Sequence, residues 1–354
     1  MSSPGWPAGT TAKTVRSVKA ILGHRFGLDE LASYSPAQMG MELLRSVLGE
    51  IPPQTLAYRR SIIANTPQHR IEWLMPDEPT LPALYHYDGR AMYLGCAQCS
   101  DGGRPVEYDG QGSVRPYDRG RYRVRFAVPN DYDGPGILPV QRDDRPGWDW
   151  PRDGEGISWC SCAQARLAAA QGWRVEVIDA RLLSNERWLS PWAGRLETSY
   201  VQAFQEGAED LARAIRSVCL HTIGSMHRTG VASKAVRVRP EDLADIGPGE
   251  EMTLDKEGHL AVKADVLRGG WWKPWMSHPE WSAAVWATAQ YRVTRAMMSL
   301  PRRSVVAVYG DSVYTTEPMP AARPEQVGWL RLKKMVEGPM QTPRNWAELW
   351  AVTK

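Results

Sequence analysis

Two aspartates end apolar, aromatic stretches that lie far apart in the chain. Asp311 stands in the turn 310–312, between valine-rich residues that are typical of two short strands. Asp88 ends the aromatic run 83–88 in a similar setting. One acid in a turn is usually only a turn residue, whereas two carboxylates that meet at strand ends can hold a pair of Mg²⁺ or Mn²⁺ ions. Such ions stabilise both the attacking and the leaving oxygen of a phosphoryl transfer.

Two pairs of closely spaced cysteines indicate a second kind of metal site. Cys96 and Cys99 have the spacing of a zinc knuckle, and Cys160 and Cys162 would complete a set of four thiolates. The second pair is one residue closer than the usual spacing. The alternative is a set of separate buried or surface thiols without zinc. The fifth cysteine, Cys219, lies in a helical pattern and is expected to pack in the core.

The composition is that of a globular protein from a reducing compartment. With 354 residues, of which 43% are hydrophobic, the chain is long enough for two or three domains or one large articulated domain. Five cysteines, an odd number, argue against a disulfide framework. No apolar run reaches the length of a membrane span, and the N-terminus lacks the basic and apolar regions of a signal peptide. We therefore expect a cytoplasmic protein with no membrane partner.

The local distribution of charged residues favours an anionic partner more strongly than the net charge does. The net charge is only +3. Residues 291–354, however, carry ten Arg or Lys against five Asp or Glu, and residues 104–125 carry six against three. Local basic surfaces of this kind bind phosphates, although solvated faces have similar compositions.

Hydrophobic periodicity predicts the elements that position the two acids. Helices are expected at 36–48, 161–171, 191–228 and 280–299, the third as one long helix or two in succession. Strands are expected at 70–73, 122–128, 173–178 and 329–332, besides those around the two acids. Residues 229–280 are expected to form strands and turns, with a hairpin tip at 255–258. Both acids would then lie at strand ends.

The segment that begins at Asp88 has the spacing of a known sequence motif. Asp88, Met92 and Tyr93 keep the pattern Asp-x-x-Ser-Leu-Tyr-Pro. Ala91 stands in place of the serine and Leu94 in place of the proline. The acid and the tyrosine are therefore retained.

Two later segments have the spacing of further motifs. Arg216 and Gly224 have the separation of the lysine and glycine in the helical pattern Lys-x-x-x-Asn-x-x-Tyr-Gly, where Leu220 replaces the asparagine and Ile223 the tyrosine. Residues 309–312 look like Tyr-x-Asp-Thr-Asp-Ser with the two central residues deleted. Because side chains alternate along a strand with a period of two, such a deletion keeps the remaining aspartate on the face that meets the first acid.

In this order the segments resemble the motifs of family B DNA polymerases, especially the compact, protein-primed kind of phages and mobile elements. No motif is intact, and the ordered set over residues 35–340 carries the resemblance. It implies an α+β fold, a right-hand polymerase core with an antiparallel palm sheet and inserted helical fingers. The chain begins about where the family's proofreading exonuclease would end, and little length remains for a thumb.

The resemblance divides the chain into five regions. They are an N-terminal helical, DNA-contacting region (1–75), a first part of the palm (76–130), the fingers (131–228), a second part of the palm (229–340) and a C-terminal remnant (341–354). The two acids fall in the two parts of the palm.

The resemblance also implies roles for single residues. Asp88 and Asp311 would be catalytic and hold Mg²⁺ or Mn²⁺. Arg216, Tyr93 and Gly224 would bind the incoming nucleotide, with Tyr93 under the sugar, where it excludes a ribose 2′-hydroxyl. Outside the resemblance, Arg216 is equally an exposed helix residue and Tyr93 an aromatic residue of a half-buried strand.

DNA contacts are implied for four basic residues. These are Arg70, Arg292, Lys333 and Lys334. Arg70 stands with Glu72 in a pattern that is similar to the Gly-Gly-Arg-x-Glu element ahead of the family's first motif.

The implied function is template-directed DNA polymerase activity without proofreading. Nucleotides would be transferred to a primer hydroxyl by a two-metal mechanism, in DNA replication within a bacterial host cell. The partners would be primer-template DNA, deoxynucleoside triphosphates and a priming protein. The altered second and third motifs leave two alternatives: a polymerase-derived protein that binds nucleic acid without synthesis, or a primase-like enzyme that starts chains.

Overall fold

The computed structural model has a central antiparallel sheet with helices on both faces. It describes residues 5–74, 78–100, 103–110, 112–115, 118–144, 146–229, 231–237, 252–254, 256–267, 273–320 and 326–353. Helices α1 to α9 are, in chain order, Ala12–Phe26, Pro36–Leu48, Leu56–Ala64, Met92–Cys99, Cys162–Ala170, Leu189–Gln205, Glu209–Met226, Pro279–Met297 and Trp346–Thr353. Strands β1 to β14 are Ile71–Trp73, Thr80–Gly89, Pro105–Val106, Arg119–Ala127, Val140–Gln141, Trp148–Asp149, Glu155–Ser161, Arg174–Leu183, Val231–Arg237, Met252–Leu254, Leu260–Leu267, Val305–Tyr309, Ser312–Thr315 and Leu330–Gln341.

Five strands form the central sheet in the order β1-β12-β13-β2-β14. Each neighbouring pair is antiparallel. The hairpin of β12 and β13 is the one predicted around Asp311, and β2 is the strand predicted to carry Asp88. β2 lies inside the sheet because it pairs with β13 on one side and β14 on the other. The mixed α+β fold with antiparallel sheets is thus confirmed.

Most helices cover one face of this sheet. Tyr87 of β2 packs in a large core cluster with side chains of α1, α2, α4, α6, α7 and α8. α2 shows why such a helix forms, since the Ser35 side chain accepts a backbone hydrogen bond at its N-terminus and Pro36 occupies the first turn. Met39 and Leu43 on its inner face are fully buried. The predicted helical region 191–228 forms two helices, α6 and α7.

The C-terminal helix α9 covers the opposite face of the sheet. Its Leu349 is fully buried in a cluster with Leu84 of β2 and Tyr314 of β13. Because side chains alternate along a strand, His86 and Asp88 share this face with Leu84. His86 accordingly stacks on Tyr314, with ring centroids 4.4 Å apart. Leu349 therefore attaches the C-terminal helix to this face of the sheet.

A second sheet, in the order β3-β8-β4-β7, packs with α5 around its own core. Tyr122, Phe126 and Trp173 belong to this core. The predicted boundary between residues 130 and 131 falls inside the sheet, since β4 precedes it and its partners β7 and β8 follow it. Periodicity predicts single strands such as 122–128 and 173–178, but it does not predict that they pair across this boundary.

A third sheet, in the order β10-β11-β9, is formed between α7 and α8 along the chain. Strands and turns are expected in this region, and the described residues contain both. Of the predicted hairpin tip, residue 255 lies outside the described residues, and Gly258 adopts a φ of 82° in the turn before β11. In the described parts of the chain, every helix is too short or too polar to cross a membrane.

Replacing Leu349 by alanine tests how much α9 contributes to the core. Because Leu349 is fully buried, Leu349→Ala removes apolar contacts and leaves a cavity. We expect the free energy of unfolding, measured by urea denaturation, to fall by about 3 kcal/mol. Leu332→Ala on β14 is the matched control, since Leu332 is 46% exposed. It should cost less than about 1 kcal/mol, and equal losses would show that α9 does not pack as described.

Candidate active site

Asp88 lies at the end of β2, where the chain leaves the sheet. It pairs with Ser312 of β13 on one side and Arg331 of β14 on the other. The Ser312 hydroxyl donates to Oδ1 of Asp88 over 2.8 Å, and Nζ of Lys333 lies 3.8 Å from Oδ2. After the strand, Ala91 adopts a left-handed conformation with φ 45° and ψ 46°, and α4 begins at the next residue. A non-glycine residue in this region stores strain beside the acid.

Asp311 lies in the tight turn between β12 and β13. Gly310 supplies the positive φ, 61°, that the turn requires. The amide of Gly89 donates to the carbonyl oxygen of Asp311 over 3.1 Å, which ties the turn to the end of β2. A Cβ atom on Gly89 would stand 2.6 Å from Oδ2 of Asp311, so the carboxylate lies directly against this backbone. The two acids are thus brought together at adjacent strand ends.

Burial is the main cause of a raised pKa at Asp311. Its Oδ2 atom is buried without a hydrogen-bond partner, although the residue as a whole is partly exposed. Burial, and next the Asp88 carboxylate, raise the pKa of Asp311 to about 6, while the Arg216 guanidinium opposes the rise. A buried carboxylate oxygen that lacks a partner favours the approach of a cation.

Tyr93 and Arg216 join the two acids. Tyr93 lies in the first turn of α4, and Arg216 lies on α7. Burial raises the pKa of the Tyr93 hydroxyl, the Asp311 carboxylate raises it further, and Arg216 lowers it. Tyr93 and Arg216 thus both interact electrostatically with Asp311. Gly224 does not join them, because it is exposed and lies about 12 Å further along the axis of α7.

The ligand predicted for the two carboxylates is a Mg²⁺ or Mn²⁺ ion. Such ions take oxygen ligands, and Mg²⁺ is commonly held by one or two carboxylates together with substrate phosphates and water. The unpartnered Oδ2 of Asp311 is an available ligand atom. Lys333 is a competing cation on Asp88, placed there by an irregular register of β14 after Leu332. The described residues contain no cluster of three or more His, Cys, Asp or Glu that could hold a metal.

The four cysteines of the predicted zinc site do not come together. Cys96 packs in the core beside the central sheet, whereas Cys160 and Cys162 pack in the core of the second sheet. The sulfur of Cys99 accepts a hydrogen bond from Nη2 of Arg292 over 2.8 Å. Burial raises the pKa of Cys96 and of Cys160 to about 12, which favours the thiol form. The first pair lies on α4, so its spacing is helical and not that of a zinc knuckle.

Arg70, predicted to contact DNA, is instead a buried structural residue. It is 1% exposed, and its Nη2 donates to Oε2 of Glu72 and to the carbonyl of Gly136, each over 2.5 Å. Its Nη1 donates to the hydroxyl of Thr294 on α8. These bonds connect the edge of the central sheet to α8 and to the loop after β4. A guanidinium enclosed in this way does not reach a solvent-exposed phosphate.

The other three predicted DNA contacts lie closer to solvent. The side chain of Lys333 is 52% exposed on β14. Lys334 is half-buried, and its Nζ donates to the carbonyl of Val352 over 3.5 Å. Arg292 on α8 is also half-buried and donates to the carbonyl of Gly328 over 2.6 Å. Their role in binding DNA stays a prediction.

Three features of the site are not predicted from the sequence. They are the close approach at Gly89, the hydrogen bond from Ser312 to Asp88 and the position of Lys333. The glycine that directly follows Asp88 is a weak signal of the close approach at residue 89. The hydrogen bond from Ser312 and the position of Lys333 depend on the register between distant strands, for which local sequence carries no signal.

Comparison with known proteins identifies the fold. No family model and no curated protein matches the chain. Phi29 DNA polymerase in complex with single-stranded DNA matches with a TM-score of 0.59 at 11% identity, over 90% of this chain and 54% of that one. Its ternary complex with primer-template DNA and incoming nucleotide substrates gives a TM-score of 0.60 at 11% identity, over 89% and 55%. The chain thus spans about half the length of the polymerase and shares its fold there.

The raised pKa of Asp311 predicts how Asp311→Asn changes stability with pH. Because the folded-state pKa, about 6, lies above the ordinary 3.8, the folded state holds the proton more tightly and loses stability as the pH rises from 4 to 6. Asp311→Asn removes this loss. We expect the variant to be more stable than wild type by about 3 kcal/mol at pH 8 and nearly equal to it at pH 4, in metal-free denaturation experiments.

The control is Asp153→Asn, which changes an exposed turn residue before β7. It should leave stability unchanged at both pH values. A variant Asp311→Asn that is no more stable than wild type at pH 8 would show that Asp311 is not buried as described.

Proposed function

We propose that the chain is a template-directed DNA polymerase, with the central sheet as palm and α6 and α7 as fingers. The observation that carries this proposal is the meeting of Asp88 and Asp311 at adjacent strand ends, with Tyr93 and Arg216 beside them. The fold shared with Phi29 DNA polymerase supports it, as does the resemblance to family B motifs. The substrates in this proposal are primer-template DNA and deoxynucleoside triphosphates.

In this proposal different residues of the site act on the primer-template DNA and on the nucleotide. Asp88 and Asp311 would hold divalent metal, which would activate the primer hydroxyl and offset the charge of the triphosphate. Arg216, whose guanidinium interacts electrostatically with Asp311, binds the triphosphate. Tyr93 borders the sugar and excludes a 2′-hydroxyl. Lys333, exposed beside Asp88, is placed to contact a phosphate of the primer strand.

A second function, nucleic-acid binding without synthesis, is favoured by one observation. The ammonium group of Lys333 lies 3.8 Å from Asp88 and partly neutralises one of the two acids. The further acid of the family's third motif has no counterpart in residues 309–312. In such a protein the basic side chains bind DNA, while the acids hold metal too weakly for catalysis.

Asp311→Asn separates synthesis from binding. The change keeps the shape of the side chain and removes its charge, so primer extension with Mg²⁺ or Mn²⁺ should fall by about three orders of magnitude or more. DNA affinity, measured by fluorescence anisotropy, should change less than about twofold, because it depends on contacts between basic side chains and phosphates. Mn²⁺ should raise the Tm of wild type and not that of the variant. Asp153→Asn should behave as wild type in all three assays.

Two outcomes would decide against polymerase activity or against this site. Wild type that binds DNA with a steep salt dependence, yet extends neither a primer on DNA or RNA templates nor a protein hydroxyl, would establish binding without synthesis. Extension by Asp311→Asn at the wild-type rate would make Asp311 a turn residue only.

Arg216→Ala tests the proposed triphosphate contact. Loss of a charged hydrogen-bond donor at this position should raise the KM for nucleotide by about tenfold to a hundredfold, with a smaller change in kcat. Arg213→Ala is the matched control, since Arg213 lies one turn earlier on α7 with a side chain that is 59% exposed. An unchanged KM in Arg216→Ala, or an equal rise in both variants, would exclude the contact.

A further inference from the structure

A second concave site lies between the second sheet and α8. It is a cavity of about 620 Å³ whose wall is formed by β4, the first turn of α5, α8 and the residues before β14. Trp329 belongs to this wall, and its carbonyl accepts a hydrogen bond from the amide of Arg90 over 3.0 Å. Arg90 is two residues from Asp88. The cavity is therefore attached directly to the end of the strand that carries the first acid.

The lining of the cavity is strongly cationic. It contains five guanidinium groups, those of Arg119, Arg121, Arg166, Arg292 and Arg295. Among the described lining residues, Asp118 has the one carboxylate. That carboxylate already accepts hydrogen bonds from Nε of Arg115, over 2.9 Å, and from the hydroxyl of Tyr122. The lining therefore contains more guanidinium groups than carboxylates.

Arg121 is the strongest indication that an anion belongs here. It is 6% exposed, and its guanidinium donates to the carbonyls of Asn65 and Trp159 and to the hydroxyl of Thr66. Its Nε is buried without a partner, and no carboxylate among the described residues forms an ion pair with it. Burial lowers the pKa of Arg121 to about 10, because the charged form is poorly solvated. A buried cation without a counter-charge is costly, and an anionic ligand would offset that cost.

The N-terminus of α5 adds a second, independent donor to the same wall. Ser161, Cys162 and Ala163 line the cavity, and they are the cap and first residues of this nine-residue helix. Ser161 and Gln164 form a capping box, which fixes the direction of the helix start. The first-turn amides and the helix dipole of such an end favour a phosphate group.

Two aromatic side chains indicate what the phosphate is attached to. Tyr291 and Trp329 lie in the lining among the arginines, and the guanidinium of Arg292 lies 5.1 Å from the centroid of the Trp329 ring. Aromatic and guanidinium planes stack on nucleobases, and single-stranded nucleic acid is bound by this combination with basic groups. The volume is that of a small-ligand pocket, sufficient for about one nucleotide and too small for a duplex.

We propose that this cavity binds a nucleotide unit of a single-stranded nucleic acid, with its phosphate held by Arg121, Arg166, Arg295 and the N-terminus of α5. The choice of a nucleic-acid strand rests on the proposed function, whereas the anion site itself does not. The cavity is connected to the end of β2 through the hydrogen bond between the Arg90 amide and the Trp329 carbonyl.

Affinity for a labelled oligonucleotide tests the proposal. The double variant Arg166→Gln/Arg295→Gln changes two exposed lining residues and leaves the buried Arg121 in place. With a fluorescein-labelled oligothymidylate of about eight nucleotides, affinity should fall by about tenfold, and the slope of log K against log salt should become shallower by about 1.4. The control Arg16→Gln/Arg213→Gln removes the same charge from α1 and α7. It should change affinity less than about twofold.

A second measurement locates the strand. An oligonucleotide that carries 5-iododeoxyuridine should crosslink under ultraviolet light to Tyr291 or Trp329, identified by mass spectrometry of peptides. The crosslink should weaken in the Arg166→Gln/Arg295→Gln variant and persist in the control. Crosslinks that map only to other aromatic residues would overturn the proposal.

The remaining outcomes are also decisive. Equal loss of affinity in both double variants would show general electrostatics and overturn the site. Weaker binding of free deoxynucleoside triphosphate or inorganic phosphate, with unchanged binding of the oligonucleotide, would overturn the strand as the ligand. A wild-type protein that extends no primer, but shows the difference between the two double variants, would end the polymerase proposal and leave this one standing.

Discussion

The register between β2 and β13 is the constraint on which the candidate site depends. Ser312 lies opposite Asp88, so the turn residue just before it stands beside the end of β2. A shift by one residue would turn the side chains of β13 to the other face of the sheet. The amide of Gly89, the donor to Asp311, fixes this register. Since Gly89 has no Cβ atom, the Asp311 carboxylate approaches the backbone at a distance that any other residue would prevent.

The turn is held from its other side by a buried ion pair. The carbonyl of Arg70 accepts a hydrogen bond from the amide of Gly310 over 2.6 Å. The guanidinium of Arg70 forms an ion pair with Glu72. Glu72 also accepts from the amide of Gly136 over 3.1 Å. Such a pair contributes little net stability, but loss of one partner leaves a buried charge and costs several kcal/mol. Arg70, which the family resemblance predicts to contact DNA, thus positions the turn that contains Asp311.

Prediction from sequence succeeds here where the signal is local. The helix at 36–48 and the hairpin around Asp311 follow from capping residues, periodicity and turn formers, and both are present. It fails where one spacing serves two structures, since the interval between Cys96 and Cys99 suits a zinc knuckle and one turn of a helix alike. It also fails where distant strands decide the result. The bulge that brings Lys333 to Asp88 and the enclosure of Arg70 depend on such pairing.

Each of the two proposed sites contains a buried ionisable group whose charge is poorly compensated, an acid in one site and a base in the other. At the acids, burial and mutual repulsion make the ionised form of Asp311 unfavourable, and Arg216 offsets this only in part. In the cavity, burial makes the charge of Arg121 unfavourable, and no acid among the described residues is paired with it. These unfavourable charges support the two proposals, a cation as ligand at the acids and a phosphate as ligand in the cavity. Unsatisfied charge lowers the stability of a fold, and groups that carry it cluster at binding and catalytic sites.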